Sequence, residues 1–119
     1  MERAIKHTDK WGGEHVLELS ASRRPSDGSL AIAAWVRDED CILEPYDEIT
    51  EHLGMGYRDS TAHICTDRFA DIRDELIRRG WAKQIRVDVV DSCEFALLEF
   101  TDEFIDSFCP GVCKVGSGL

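Results

Sequence analysis

Residues Thr66–Trp81, TDRFADIRDELIRRGW, predict the element around which the rest of the chain is organised. Its apolar residues recur at the spacing of one helix face: Phe69, Ile72 and Leu76. Thr66 is the expected N-cap, and Gly80 suits the left-handed position that ends many helices. We therefore expect a helix over Thr66–Gly80 with its apolar face buried.

Two predicted hairpins flank this helix. Downstream, Trp81–Thr101 contains two alternating apolar segments joined near Asp91 and Ser92. Upstream, His15–Arg37 contains a half-buried strand, a Pro-Ser-Asp-Gly turn and a strand that is apolar on both faces.

Two further helices and one extra turn are expected between and after the hairpins. Pro45 suits the first turn of a short helix that ends at Gly54, and Ser60 or Thr61 can cap an extra turn through His63 and Cys65 before the main helix. Thr101 caps a last helix, which Pro110 ends. The element order β-β-α-α-β-β-α predicts an α+β fold with helices against antiparallel strands.

The length of 119 residues favours a single domain over 1–119. Within it we expect a core over 14–108, a C-terminal tail over 109–119, and a loose N-terminal arm or short edge element over 1–13. No apolar run reaches the roughly 20 residues that span a bilayer, and the start lacks the apolar segment of a secretory signal. We expect a cytoplasmic protein without membrane contact.

The negative charge is concentrated in two stretches. The chain carries a net charge of −10, and Asp38–Glu51 and Val87–Phe108 each hold seven acids and no Lys or Arg. We expect ten of these acids to contact a partner protein: Asp38, Glu39, Asp40, Glu44, Asp47, Glu48, Glu51, Asp88, Asp91 and Glu94.

Part of the chain, Pro45–Phe108, resembles a winged helix-turn-helix. The motif DEITEHLG at Asp47–Gly54 is similar to the first helix of the turn motif, and Arg68–Trp81 is similar to a recognition helix that runs into a wing. FALLEFTDEF at Phe95–Phe104 is similar to the second wing strand and the next helix. The resemblance implies a DNA-binding transcription regulator that acts as a homodimer, with phosphate contacts from Arg68, Arg73, Arg78 and Arg79.

Candidate catalytic and metal-binding residues do not form a complete set. A hypothetical zinc site could take its four ligands from His63, Cys65, Cys109 and Cys113. The H-x-C spacing of the first two is tighter than usual for such a site. The odd number of cysteines, five, favours free thiols, and Cys41, Cys65 and Cys93 are expected as small buried residues. We expect no enzyme activity, no cofactor and no bound metal.

Two functional hypotheses remain. The first is a small acidic protein-binding module that occupies a basic, nucleic-acid-binding surface of its partner, as phage-type inhibitors of CRISPR or restriction systems do. The alternative is the winged-helix regulator. Because Pro45–Phe108 has a net charge of −8, whereas DNA readers depend on basic side chains, we do not expect direct nucleic-acid binding. A surface whose charge only aids solubility is also compatible with the sequence.

Overall fold

The computed structural model describes residues 4–108, which form two four-stranded antiparallel sheets and two helices. The first sheet has the order β1-β2-β3-β4. Its strands are β1 Ala4–Thr8, β2 Glu14–Arg23, β3 Leu30–Arg37 and β4 Leu43–Glu48. The predicted hairpin over His15–Arg37 is confirmed as β2 and β3.

The second sheet follows along the chain and is interrupted by a helix. Its strands are β5 Thr50–Glu51, β6 Thr61–Cys65, β7 Ala82–Val90 and β8 Cys93–Phe100, in the spatial order β5-β6-β8-β7. Helix α1, Thr66–Arg78, connects β6 to β7, and α2, Asp102–Phe108, follows β8. The hairpin over Trp81–Thr101 is confirmed as β7 and β8, and the α+β class is confirmed.

The chain passes from one sheet to the other at Ile49. This residue is fully buried between β4 and β5, and its N–H donates to the carbonyl of Ile32 over 2.8 Å. The hydroxyl of Thr50 accepts the N–H of Ile32 over 3.0 Å. The backbone of Ile49 and the side chain of Thr50 both bond to β3, which holds the passage from one sheet to the other in place. A single cluster of buried apolar residues contains members of both sheets and both helices.

Helix α1 has the predicted buried face and the predicted end. Phe69, Ile72 and Leu76 are buried. Gly80 has a φ of +73°, its N–H bonds to the carbonyl of Ile77, and the N–H of Trp81 bonds to that of Leu76. This is the Schellman arrangement, which satisfies carbonyls that the helix end leaves open.

The expected N-cap of α1 is wrong, whereas that of α2 is confirmed. Cys65 occupies the cap position of α1 and makes no side-chain cap bond. Thr66 lies inside the helix, and its hydroxyl donates to the carbonyl of Glu94 over 3.2 Å. In α2, the Thr101 hydroxyl accepts the N–H of Phe104 over 3.1 Å. The expected end at Pro110 lies outside the described residues.

The helix expected over Pro45–Gly54 is wrong. This segment includes most of β4 and all of β5, so the first helix that the winged-helix resemblance implies over Asp47–Gly54 is instead the end of β4, the short β5 and an irregular connection. Its apolar spacing has another cause: Tyr46 and Ile49 both contact the core because the chain bends between the two strands. Pro45 is compatible with β4 because that strand is at the edge of its sheet.

Two more expectations are corrected. The extra turn over Ser60–Cys65 is wrong, since Thr61–Cys65 is the buried strand β6, paired on both sides by β5 and β8. The loose arm over 1–13 is wrong for its described part, which contains the edge strand β1, so the alternative of a short edge element is confirmed. The element order in residues 4–108 is therefore six strands, a helix, two strands and a helix.

Among the described residues, neither helix is long and apolar enough to cross a membrane.

Candidate functional site

Most basic side chains of the described region are bound to carboxylates of the same chain. Of the twelve Lys and Arg residues in 4–108, eight form ion pairs: Arg24, Arg37, Arg68, Arg73, Arg78, Arg79, Lys83 and Arg86. Glu75 bonds to both Arg78 and Arg79, and these bonds lower the pKa of Glu75 to about 2. The cations therefore contribute little unbalanced positive surface.

The first acidic stretch begins with an exposed turn between β3 and β4. The carboxylate of Asp38 accepts the N–H groups of Asp40 and Ile42 over 2.8 and 2.9 Å, so Asp38 shapes the turn. Glu39 and the side chain of Asp40 point to solvent and form no ion pair within residues 4–108. The turn thus presents two free carboxylates.

Two large apolar side chains lie beside these carboxylates. Ile42 is 59% exposed and Leu43 is 43% exposed, although both are aliphatic. The next residue, Glu44, is exposed and has no ion pair in the described part of the chain. An apolar centre with a charged rim is the composition typical of a protein-binding surface.

Both acidic stretches meet at a groove of about 570 Å³. Glu51 from β5 and Asp91 from the β7–β8 turn line it and form no ion pair within 4–108. Asp47 and Glu48 also line it, but they are paired with Arg68 and Arg24. The groove is therefore only partly acidic, and its free charges come from Glu51 and Asp91.

The remaining candidates of the second stretch have structural partners. Asp88 accepts a hydrogen bond from His63 over 2.7 Å and contacts Arg86 over 3.0 Å. These contacts, chiefly that with His63, hold the pKa of Asp88 below its usual range. Glu94 bonds to the Thr66 hydroxyl over 3.1 Å. Asp88 thus contributes to the fold through His63, whereas Glu94 is exposed and forms no ion pair within residues 4–108.

The partners of His63 form a network that the sequence did not indicate. His63 is fully buried, and its Nδ1 lies 2.7 Å from the Tyr57 hydroxyl. That hydroxyl accepts the N–H of Leu53 over 2.9 Å, so its own proton is available for Nδ1. His63 is then the tautomer that carries its proton on Nε2 and donates it to Asp88. Tyr57 and Asp88 are 6 and 25 residues away from His63, without a motif that links them.

All four histidines share this kind of partner. Each lies within 3.0 Å of an aspartate oxygen, in the pairs His7–Asp71, His15–Asp9, His52–Asp27 and His63–Asp88. The pKa of Asp9, like that of Asp88, lies below its usual range chiefly because a histidine donates to it. Each of these four aspartates therefore has a histidine partner within the fold.

A metal-binding arrangement is absent from residues 4–108. No group of three His, Cys, Asp or Glu side chains there is placed to hold a metal, and Cys109 and Cys113 lie outside the described residues. Cys65 is buried as expected, Cys93 is half-buried, and the expectation for Cys41 is wrong, since it lies exposed in the turn at a φ of 63°.

No family model, no curated protein and no solved structure matches this chain.

Proposed function

We propose that this chain is a small acidic, non-catalytic binding protein whose partner presents a basic surface. The observation that carries the proposal is the internal pairing of eight basic side chains, which leaves surplus carboxylates facing solvent. A surface of one sign attracts an oppositely charged partner and accelerates association.

We name the contact region the β3–β4 surface and define it by Glu39, Asp40, Ile42, Leu43 and Glu44. Its carboxylates supply long-range attraction, while Ile42 and Leu43 supply apolar area for short-range contact. Glu51 and Asp91 extend the negative charge to the neighbouring groove. Among basic partners we favour a nucleic-acid-binding protein, whose groove for phosphates would be occupied, as in phage-type inhibitors of CRISPR or restriction systems.

Direct DNA binding receives no support from the arginines. The four side chains that the winged-helix resemblance assigns to phosphates each form an ion pair: Arg68, Arg73, Arg78 and Arg79. Contact with phosphate would require each to exchange a carboxylate of the same chain. We therefore expect no shift of duplex DNA at physiological salt, and a salt-dependent shift would argue for the regulator instead.

The test is the association rate with a partner captured from the native host. The first variant replaces Glu39, Asp40 and Glu44 by Lys. The control replaces three exposed acids elsewhere by Lys, namely Glu14, Asp59 and Asp106. Both variants change the net charge equally, so only the position of the charge differs.

We expect the first variant to associate at least about tenfold more slowly, as is typical for loss of electrostatic steering, and to lose most of its salt dependence. The control should change the rate less. Equal rates and equal salt dependence for wild type and both variants would show that the acidic surface only aids solubility.

A further inference from the structure

Strand β7 has an unpaired edge. It is the last strand of the order β5-β6-β8-β7, and no other strand of the described region pairs with its outer side. The strand has nine residues, which is long for an exposed edge. Such an edge offers backbone N–H and C=O groups to another strand.

The turn at the end of β7 shows which residues offer these groups. Asp91 and Ser92 have φ values of +52° and +66°, as a two-residue type I′ turn requires, and Val90 pairs with Cys93 next to it. In antiparallel strands the bonding direction alternates from residue to residue. The backbone groups of Val87 and Val89 therefore point away from β8, toward the free edge.

Apolar side chains are concentrated at the same place. Half of the eight large exposed hydrophobic residues of the described region are on β7 or on the helix next to it: Ile77, Ile85, Val87 and Val89. Val89 is 69% exposed and Val87 is 41% exposed. Ile77 is one turn from Arg73, whose guanidinium contacts Gln84 of β7, so Ile77 belongs to the same patch.

The charge of this edge selects its occupant. In a chain with a net charge of −10, the charges of β7 are balanced, because Lys83 pairs with Glu99 of β8 and Arg86 pairs with Asp88. A basic partner would not be attracted to it. A second copy of the chain would be complementary, because an antiparallel register centred on Val87 places Arg86 opposite Asp88 of the other copy, twice by symmetry.

We propose that β7 is a dimer interface, at which two copies of this chain pair edge to edge into one continuous eight-stranded sheet. The N–H of Val87 donates to the C=O of Val87 in the second copy, and the reverse bond follows by symmetry. The exposed apolar side chains of the two copies pack against one another, namely Ile77, Val87 and Val89 of each. Arg86 of one copy pairs with Asp88 of the other, which favours the strand register centred on Val87. This inference does not depend on the proposed function, since the β3–β4 surface is on the other sheet.

The first measurement is the molar mass in solution by light scattering, as a function of protein concentration. The wild-type chain should have twice the mass of one chain. Val87→Lys and Val89→Lys each place a charge on the edge, which should weaken the dimer by at least about tenfold, as loss of an interface hot spot does. Val16→Lys is the control, because Val16 is similarly exposed, at 58%, but lies on β2.

The second measurement is amide hydrogen exchange, which distinguishes edge pairing from any other dimer. In the wild type, the Val87 and Val89 amides should be protected, and in the Val87→Lys variant the Val89 amide should exchange rapidly while those of β6 remain protected. A single-chain mass at every concentration would overturn the proposal. So would a dimer that persists in both Lys variants, or one whose Val87 and Val89 amides exchange freely.

Discussion

The two acidic stretches look equivalent in sequence and differ in where the structure places their unpaired acids. Each has seven acids and no basic residue. In each, two acids form ion pairs within the described residues, namely Asp47 and Glu48 in the first and Asp88 and Glu99 in the second. The unpaired acids of Asp38–Glu51 lie in the β3–β4 turn, on β4 and on β5, whereas those of Val87–Phe108 lie at the β7–β8 turn, on β8 and on α2.

The difference shows that charge density along a chain does not determine where a surface presents its charge. What matters is which groups surround each carboxylate. The first stretch places unpaired acids beside two exposed apolar side chains, Ile42 and Leu43. In the second, Asp88 bonds to His63, and Asp102 and Glu103 lie in the first turn of α2, where acids are favourable for the helix dipole.

A substitution in the core should have the largest effect on the free energy of unfolding. Leu76 is fully buried on α1, and Leu76→Ala should lower the free energy of unfolding by about 2–5 kcal/mol, since it removes apolar contacts and leaves a cavity. Urea denaturation would measure this. A loss below about 1 kcal/mol would contradict the assignment of the buried face.

Loss of the hydrogen bonds between Tyr57, His63 and Asp88 should have the next largest effect on the free energy of unfolding. Tyr57→Phe removes the hydroxyl that bonds both His63 Nδ1 and the Leu53 N–H. We expect a loss of about 1–3 kcal/mol, because buried polar groups are left without a partner. Tyr46→Phe is the matched control, since it removes a phenol hydroxyl outside this network. Equal small effects of the two substitutions would show that the network adds nothing to stability.

The role of Asp88 should be visible in the pH dependence of stability. Its pKa is depressed in the folded chain from an ordinary value of 3.8, so its contribution is present above that value and is lost as pH falls through the folded pKa. Asp88→Asn retains an acceptor for His63 but does not titrate. The wild type should therefore be the more stable near neutral pH, and the difference should shrink below about pH 4. A difference that is constant from pH 7 to pH 2 would contradict this role.

The first stretch should give the smallest change in stability. Glu39→Gln, Asp40→Asn and Glu44→Gln remove charges that have no ion pairs within the described region. Each should change the free energy of unfolding by at most about 0.5 kcal/mol, as is usual for exposed positions. A larger loss, measured by the same urea denaturation, would show that these acids have structural partners and would remove the basis of the comparison.

The sequence was sufficient for elements defined by local patterns. The stripe of Phe69, Ile72 and Leu76, the Gly80 end and the two hairpins follow from spacing and turn chemistry, and all are confirmed. The sequence was not sufficient where contacts with distant strands determine the local structure. The apolar residues of Pro45–Gly54 have a helical spacing, yet Leu43–Glu48 pairs with β3 as a strand. A short isolated helix has little stability of its own, so pairing with a neighbouring strand is favoured.

The candidate site was predictable to a similar degree. The sequence indicated that acids are concentrated in two stretches but could not indicate which acids are paired. The partner of Glu48 is Arg24, and the partner of Asp88 is His63, both about 25 residues distant. The exposure of Ile42 and Leu43 was likewise hidden, since an apolar pair before a proline is equally compatible with a core strand. These properties depend on which strands lie at the edges.

The position of Tyr57 has a consequence for the accessibility of the interior to water. Strand β6 is buried at all five residues, pairs with β8 along its whole length and pairs with β5 at His63 and Ile64, so the amides in these pairs should exchange mainly when the whole chain unfolds. Tyr57 is on the connection between β5 and β6, outside any helix or strand. A brief opening of that connection would hydrate His63 while the sheet stays intact. His63, the most enclosed histidine of the described chain, is therefore bonded to one residue of that connection and to one residue of β7, and its ring protons should report openings of the connection that are faster than unfolding.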